Sequence, residues 1–279
     1  MNTIVTHFSP DVDATCSIWL IKKFLPGFSN AEIKFVPAGQ TWGNEDPDSN
    51  SEIIHVDTGF GQFDHHQEDK EICAASLIYQ YLDKKGKLTN NESAVLKRLV
   101  REVNEIDHFK QVYWQEADND RYDFHLDAVV DGLKLLYPKN DLKIIEISLP
   151  FLEAVFKRLT NKLWAEKLIE KEALKFKSRW GEALAFETTN DEVIHLAQKK
   201  GYKLVVRRDP KKNYIRIKSW PAKQMDLTQI YNKLKEKDPN ATWFLHASKH
   251  MILNGSTKNP EMRPTNLSLE EIINIIKSI

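Results

Sequence analysis

The sequence predicts an α/β protein with an N-terminal parallel-sheet domain, a long helical connector and a smaller C-terminal α/β domain. Three observations carry this. Short β-branched runs alternate with helical patterns through the first 140 residues, as strands of a parallel sheet do when helices link them. From Asp141 to Trp180, Leu, Ile, Phe and Trp recur at three- and four-residue steps almost without a break. After Gly181 strand-like runs return, two of them joined as a hairpin. The expected divisions are 1–140, 141–180 and 181–279.

The first strand is Thr3-Ile-Val-Thr6, followed by a turn at Ser9-Pro10. A helix starts at about Asp13 and carries Ile18, Trp19, Leu20 and Ile21 to a stop at Pro26-Gly27. Glu32 to Val36 and Glu52 to Val56 read as strands across a polar loop. Helices follow over Cys73–Lys85, Asn91 to about Phe109, and Phe124–Leu136. The 141–180 stretch reads as helix, with Pro150 tolerated at a helix start or a kink. In the last third, Ala183–Glu187 predicts a strand and Asp191–Lys200 a helix. Leu204–Arg208 and Tyr214–Lys218 form the expected hairpin. Leu227–Glu236 reads as helix, Thr242–His246 as strand and Ser268–Ile276 as a closing helix.

Forty basic residues balance forty acidic ones, so no global field recruits nucleic acid or anionic membrane. A polyanionic ligand would need bound cations or a local patch. The chain opens on an apparent core strand without a basic-then-apolar leader, and no apolar run reaches membrane-spanning length. The expectation is a cytoplasmic protein with no membrane partner. Cys16 and Cys73 both lie in helical patterns, where free buried thiols are expected over a disulfide.

The chemistry concentrates near the N-terminus. His7-Phe-Ser-Pro-Asp11-Val-Asp13 places an imidazole and two carboxylates where a strand hands over to a helix, and sheets of this class bind ligands there. The same residues also suit a helix cap at Asp13 and a turn at Asp11. The strand Ile53-Ile-His-Val56 ends at Asp57, before Thr58-Gly59. Asp64-His65-His66 follows after a short hairpin over Thr58–Phe63. An acid beside a metal-binding imidazole orients the ring by accepting its other N–H. Oxygen-rich donors with several imidazoles suit Mn²⁺ or Mg²⁺, ahead of Zn²⁺, Fe²⁺ or Co²⁺. Two such ions about 3.5–4 Å apart would activate a water and clamp a phosphoryl group. His55 alternates with Asp57 and is a candidate neighbour.

His-x3-Asp-x-Asp, a strand ending in Asp, and then Asp-His-His together resemble the DHH phosphoesterase superfamily. Phe63-Asp-His-His-Gln67, with the small-residue run Ala74-Ala75-Ser76, is similar to one branch. It is the branch that contains the eukaryotic exonuclease named after the melanocyte proliferating gene. Val103-Asn-Glu-Ile-Asp107 and Trp243-Phe-Leu-His-Ala-Ser248 resemble later motifs of that branch. The resemblance implies a metal-dependent phosphoesterase using two Mn²⁺ ions, with Mg²⁺ or another divalent cation as the alternative. It implies His7 and Asp11 on one ion, Asp13, His65 and Asp107 on the other, and Asp57 bridging. His66 would face the scissile phosphate and Asp64 would support the histidines. Glu105 competes with Asp107 for its role.

The sequence departs from the superfamily in two places. The segment between Asp57 and Asp64 is shorter than usual, and a Gly-Gly-His loop is absent from the C-terminal third. His246, Lys249, His250 and Asn254 are the candidate substrate contacts there, in an otherwise ordinary strand and turn. Arg207 and Arg208 join Lys211, Lys212, Arg216, Lys218, Tyr214 and Trp220 in the one basic stretch interleaved with aromatics. That face suits a nucleic-acid backbone, and equally a solvated hairpin. The expected substrate is short or single-stranded nucleic acid or a small nucleotide. The alternatives are a pyrophosphate or nucleotide phosphohydrolase, and a binding module that has kept the fold without catalysis. The sequence does not address oligomeric state.

Overall fold

The computed structural model describes all residues except Glu68, Thr257 and Pro260. It is mixed α/β, and its chain divides into two compact units, Met1–Thr160 and Asn161–Ile279. The division falls inside the longest helix, Asp141–Glu172.

The first unit holds a three-stranded parallel sheet of β1 (Thr3–His7), β2 (Glu32–Val36) and β3 (Ile53–His55), with β1 in the centre. Thr3 pairs with Glu32 on one side and Ile53 on the other. Helix α1 (Val12–Phe24) is buried on every side from Val12 to Ile21, Asp13, Thr15 and Ser17 included. Such a helix belongs in a core rather than on a surface. It packs against α2 (Ala74–Lys84) and α3 (Asn90–Asp107). Thr89 and Glu92 form a reciprocal capping box that starts α3. Helix α4 (Leu126–Leu136) packs Val130 and Leu133 on Ile144 of α5 (Asp141–Glu172). Cys16 and Cys73 are both buried free thiols.

The second unit is built on a six-stranded mixed sheet. Its strands are β4 (Leu174–Ser178), β5 (Gly181–Glu187), β6 (Leu204–Arg208), β7 (Ile215–Ser219), β8 (Trp243–Leu245) and β9 (Met251–Asn254). The order is β4-β5-β6-β7-β9-β8, with β5 and β6 parallel and the other pairs antiparallel. Helix α6 (Glu192–Lys199) covers Leu184, Phe186 and Val205 on one face. Helices α7 (Thr228–Lys237) and α8 (Leu269–Lys277) cover the other.

Two expectations need correcting. The helix expected to reach Trp180 stops at Glu172, and Leu174-Lys-Phe-Lys-Ser178 is an edge strand whose Phe176 and Ser178 turn inward. Its two lysines protect the open edge from pairing with another chain. Pro150 lies inside α5, within the two placements expected for it. The segment Thr58–Phe63 is a compact loop, not a hairpin, closed by the Asp57 N–H donating to the Phe63 carbonyl at 2.9 Å.

Candidate metal centre

The centre lies at the carboxyl ends of β1 and β3, where an open parallel sheet offers a crevice. His7 is the last residue of β1. Its Nδ1 meets the Phe8 carbonyl at 2.8 Å, so the ring donates there and turns Nε2 towards Asp57 Oδ2 at 3.1 Å. Asp11, not Asp13, is the N-cap of α1, and its Oδ1 accepts the Ala14 N–H at 2.9 Å.

Asp13 is therefore free to act elsewhere. Its side chain is fully buried and accepts the N–H groups of Ala74 (2.8 Å) and Ala75 (2.9 Å). Helix α2 has Cys73 as its N-cap with no side-chain capping bond. A residue sixty-one positions away thus satisfies two of the donors that every helix start leaves open. The small side chains of Ala74 and Ala75 leave room for that approach. Asn104, in α3, fixes the same helix start by accepting the Cys73 N–H at 2.7 Å.

Asp57 sits two residues beyond β3 in a left-handed backbone conformation, φ 55°. The turn that follows needs glycine. At Gly59, φ 83°, an added Cβ would lie 3.0 Å from Thr41 Cγ2. Gly61 would bring one to 2.8 Å from Pro47. The buried Asp64 organises the end of this loop, accepting the Phe60 N–H at 2.7 Å and the His66 N–H at 3.1 Å. It also accepts from His66 Nδ1 at 2.7 Å, which fixes the ring and leaves Nε2 as its outward atom. His66 is half-exposed.

Three overlapping donor groups result: His7, Asp11 and Asp57; Asp13, His65 and Asp107; and Asp57, His65 and His66, with the donor atoms of each group within 4.8 Å of one another. His65 Nε2 is 3.3 Å from Asp57 Oδ1, 3.7 Å from Asp107 Oδ2 and 3.9 Å from Asp13 Oδ2. Asp107, the last residue of α3, reaches this group, whereas Glu105 lies 4.0 Å from Arg101. A carboxylate at a helix C-terminus opposes the helix dipole, a cost that a cation would offset.

The electrostatics fit that reading. Burial raises the Asp13 carboxyl well above its ordinary value, and Asp57, Asp107 and Asp11 add to the rise. Burial also raises Asp107. Burial opposes charge on His7, but Asp57, with Phe8 and Asp11 contributing, outweighs it and lifts the ring to about 9. The contact with Asp57 lifts His65 to about 9 against its own burial. Burial would raise Asp57, yet His65 and His7 hold it below the usual carboxylate range.

Asp57 Oδ1 and His65 Nε2 are buried and, among the described residues, neither has an aligned hydrogen-bond partner. Orphaned buried polar atoms are costly. Two of them facing one point, inside an oxygen-rich set with imidazoles, fit a divalent cation. A cavity of about 360 Å³ opens onto the centre, lined by His7, Asp11, Asp57, His66 and Asp107 with Ala38, Gly39 and Phe60. Sequence reasoning missed these last three. The usable signal was a bulky Phe60 between two glycines.

His55 is no ligand. It accepts the Trp42 N–H at Nε2 (2.9 Å) and meets the Pro47 carbonyl at Nδ1 (3.2 Å), so both ring nitrogens hold the preceding loop.

In the second unit the candidate substrate contacts have these surroundings. Asn254 is fully buried, donating to the carbonyls of Thr242 and Arg263 (both 2.9 Å) and accepting the Thr265 N–H at 2.7 Å. Arg207 is 6% exposed, lies 2.7 Å from Asp191 and donates to the Thr188 carbonyl at 3.0 Å. Arg208 donates to Glu187 (2.9 Å) and Asn213 (2.7 Å). His246 and Lys249 occupy the exposed turn between β8 and β9, with Lys249 2.9 Å from Asp226. His250 Nδ1 meets the Met225 carbonyl at 3.0 Å.

Among the described residues no helix is long and apolar enough to cross a membrane. No protein-family model matches the chain, and no curated protein matches it. Among solved structures, the chain is similar to the crystal structure of RecJ in complex with Mg²⁺ from Thermus thermophilus. Sequence identity is 13% and the TM-score 0.33, over 99% of this chain and 49% of RecJ. The chain thus spans about half the length of that protein.

Proposed function

We propose that the protein is a DHH-type metal-dependent phosphoesterase that hydrolyses phosphodiester bonds in short or single-stranded nucleic acid or in a small nucleotide. One observation carries the reading: two ligand groups, His7–Asp11–Asp57 and Asp13–His65–Asp107, meet where Asp57 Oδ1 and His65 Nε2 lie buried 3.3 Å apart with no aligned hydrogen bond among the described residues. Two divalent cations, Mn²⁺ in our assignment, would supply an activated water and charge stabilisation for the phosphoryl group.

The chain's own residues have distinct tasks. Asp57 offers one oxygen towards His7 and the other towards His65, which suits a bridging carboxylate. Asp13 is held by the start of α2 and keeps its remaining lone pairs for the centre. Asp64 holds His66 so that Nε2 is the atom presented to the phosphate, able to hydrogen-bond its oxygen or pass a proton to the leaving group. The neutral overall charge makes the cations the natural source of attraction for a polyanion.

The test is product release from short RNA, single-stranded DNA, cyclic dinucleotides and pyrophosphate, each with Mn²⁺ and with EDTA, beside the Asp57→Ala protein. Mn²⁺-dependent release from a phosphodiester, abolished by EDTA and by the substitution, is expected. Release from pyrophosphate alone would replace the diester reading with a phosphohydrolase. No release from any substrate would leave a binding module.

A further inference from the structure

A second cavity, of about 420 Å³, is lined by Phe8, Ser9, Lys134, Tyr137, Lys139, Asp141 and Ile144. It adjoins the metal centre through the chain itself, because Phe8 and Ser9 stand between His7 and Asp11. Phe8 is 54% exposed. The side chain sits on a short connection whose backbone is held in place. The Phe8 N–H donates to the Val36 carbonyl at 2.9 Å, and the Phe8 carbonyl accepts from His7. The Ser9 N–H donates to Asp141 at 3.1 Å, with Ser9 in a left-handed conformation, φ 55°. The ring is thus presented from a fixed backbone. Tyr137 is also exposed on the same cavity, and Lys134 and Lys139 line it as well. Lys134 is 3.0 Å from Asp131. Asp141 is the acid lining the cavity among the described residues, and its carboxylate accepts the Ser9 N–H.

Aromatic faces beside point charges bind a nucleobase and its phosphate without regard to sequence. Phe60 lines the metal cavity itself and is 56% exposed, its N–H fixed by Asp64. We propose that the Phe8–Lys139 cavity is the subsite for the nucleotide next to the scissile phosphate. A base would stack on Phe8 or Tyr137, and the outer phosphate would meet Lys134 and Lys139. The inference rests on the phosphoesterase reading and narrows its substrate to a dinucleotide or the end of an oligonucleotide. Inorganic pyrophosphate has no ring to place there.

Two measurements test it. With Mn²⁺, kcat/KM for a 5′-phosphorylated dinucleotide is divided by that for methyl p-nitrophenyl phosphate, which is too short to reach the lysines. The Lys134→Ala/Lys139→Ala protein should lower this ratio about tenfold, and an unmoved ratio in an active protein overturns the subsite. Separately, fluorescence anisotropy follows a labelled, 5′-phosphorylated dinucleotide binding to the Asp57→Asn protein. Adding Phe8→Ala should weaken binding about tenfold, within the range for losing one stacked base. Unchanged binding overturns the subsite. If the wild-type protein hydrolyses nothing but binding still depends on Phe8 and the lysines, the phosphoesterase reading fails and the nucleotide site stands.

Discussion

The two units treat buried charge in opposite ways. In the first, Asp11, Asp13, Asp57 and Asp107 crowd together around three imidazoles, and burial and mutual repulsion push Asp13 and Asp107 towards holding protons. In the second, charges alternate: Asp191 lies between Arg207 and Arg216, which stand directly opposite each other on β6 and β7. Like charges across a ladder repel, and a carboxylate between them removes the penalty. A fold that compensates its charges is using them for stability. One that gathers like charges around one point bears a cost that an added cation can relieve.

The largest effect that would break this contrast is at the shared ligand. Asp57→Ala should lower Mn²⁺-dependent phosphodiester hydrolysis by more than about 100-fold, beyond what losing an outer-shell partner usually costs. A steady-state assay on the folded variant checks it. Next, Arg207→Ala should destabilise the second unit by about 3 kcal/mol, because it opens a buried ion pair and leaves the Thr188 carbonyl without its donor. Urea unfolding would read the loss, and retained hydrolysis of a small diester would confirm that Arg207 serves the fold.

A smaller, pH-dependent effect sharpens the comparison. His7 and His65 titrate near 9 when folded and near 6.5 when unfolded, so their contribution is complete below about 6.5 and lost as pH rises towards 9. EDTA-treated protein should therefore lose thermal stability across that window. Cations compete with the same protons, so Mn²⁺ should bind more tightly over the same rise. A melting temperature of the metal-free protein that climbs from pH 6.5 to 9 would contradict the charge state assigned to the two rings. The smallest effect is at the surface: Lys249→Ala should change stability by under about 1 kcal/mol, since its pair with Asp226 is largely exposed.

Local signals were legible in the sequence. Glu32–Val36 is a strand to the residue, and the Asp-His-His run and the His7-to-Asp13 spacing mark the donors that the fold gathers. What could not be read locally is what the fold decides over distance. That Asp13 caps α2, that Asn254 clamps Thr242, Arg263 and Thr265, and that Arg207 is buried against Asp191 each depend on partners far along the chain or across a ladder. Strand β4 was hidden because Leu174, Phe176 and their neighbours extend the helical rhythm of α5 by only a few residues, too short a run for a period of two to stand out. Strand β9 was masked by its motif-like surroundings, which drew the reading towards ligand contacts rather than towards pairing with β7 and β8.

The central claim is that the crowded acids of the first unit are a two-cation site joined by Asp57. Calorimetric titration of Mn²⁺ into the EDTA-stripped protein, with Asp57→Asn in parallel, tests it most directly. The account predicts two Mn²⁺ per chain in the wild-type protein and weakened binding of both in the variant. Absence of Mn²⁺ binding, or binding indifferent to Asp57, would contradict it.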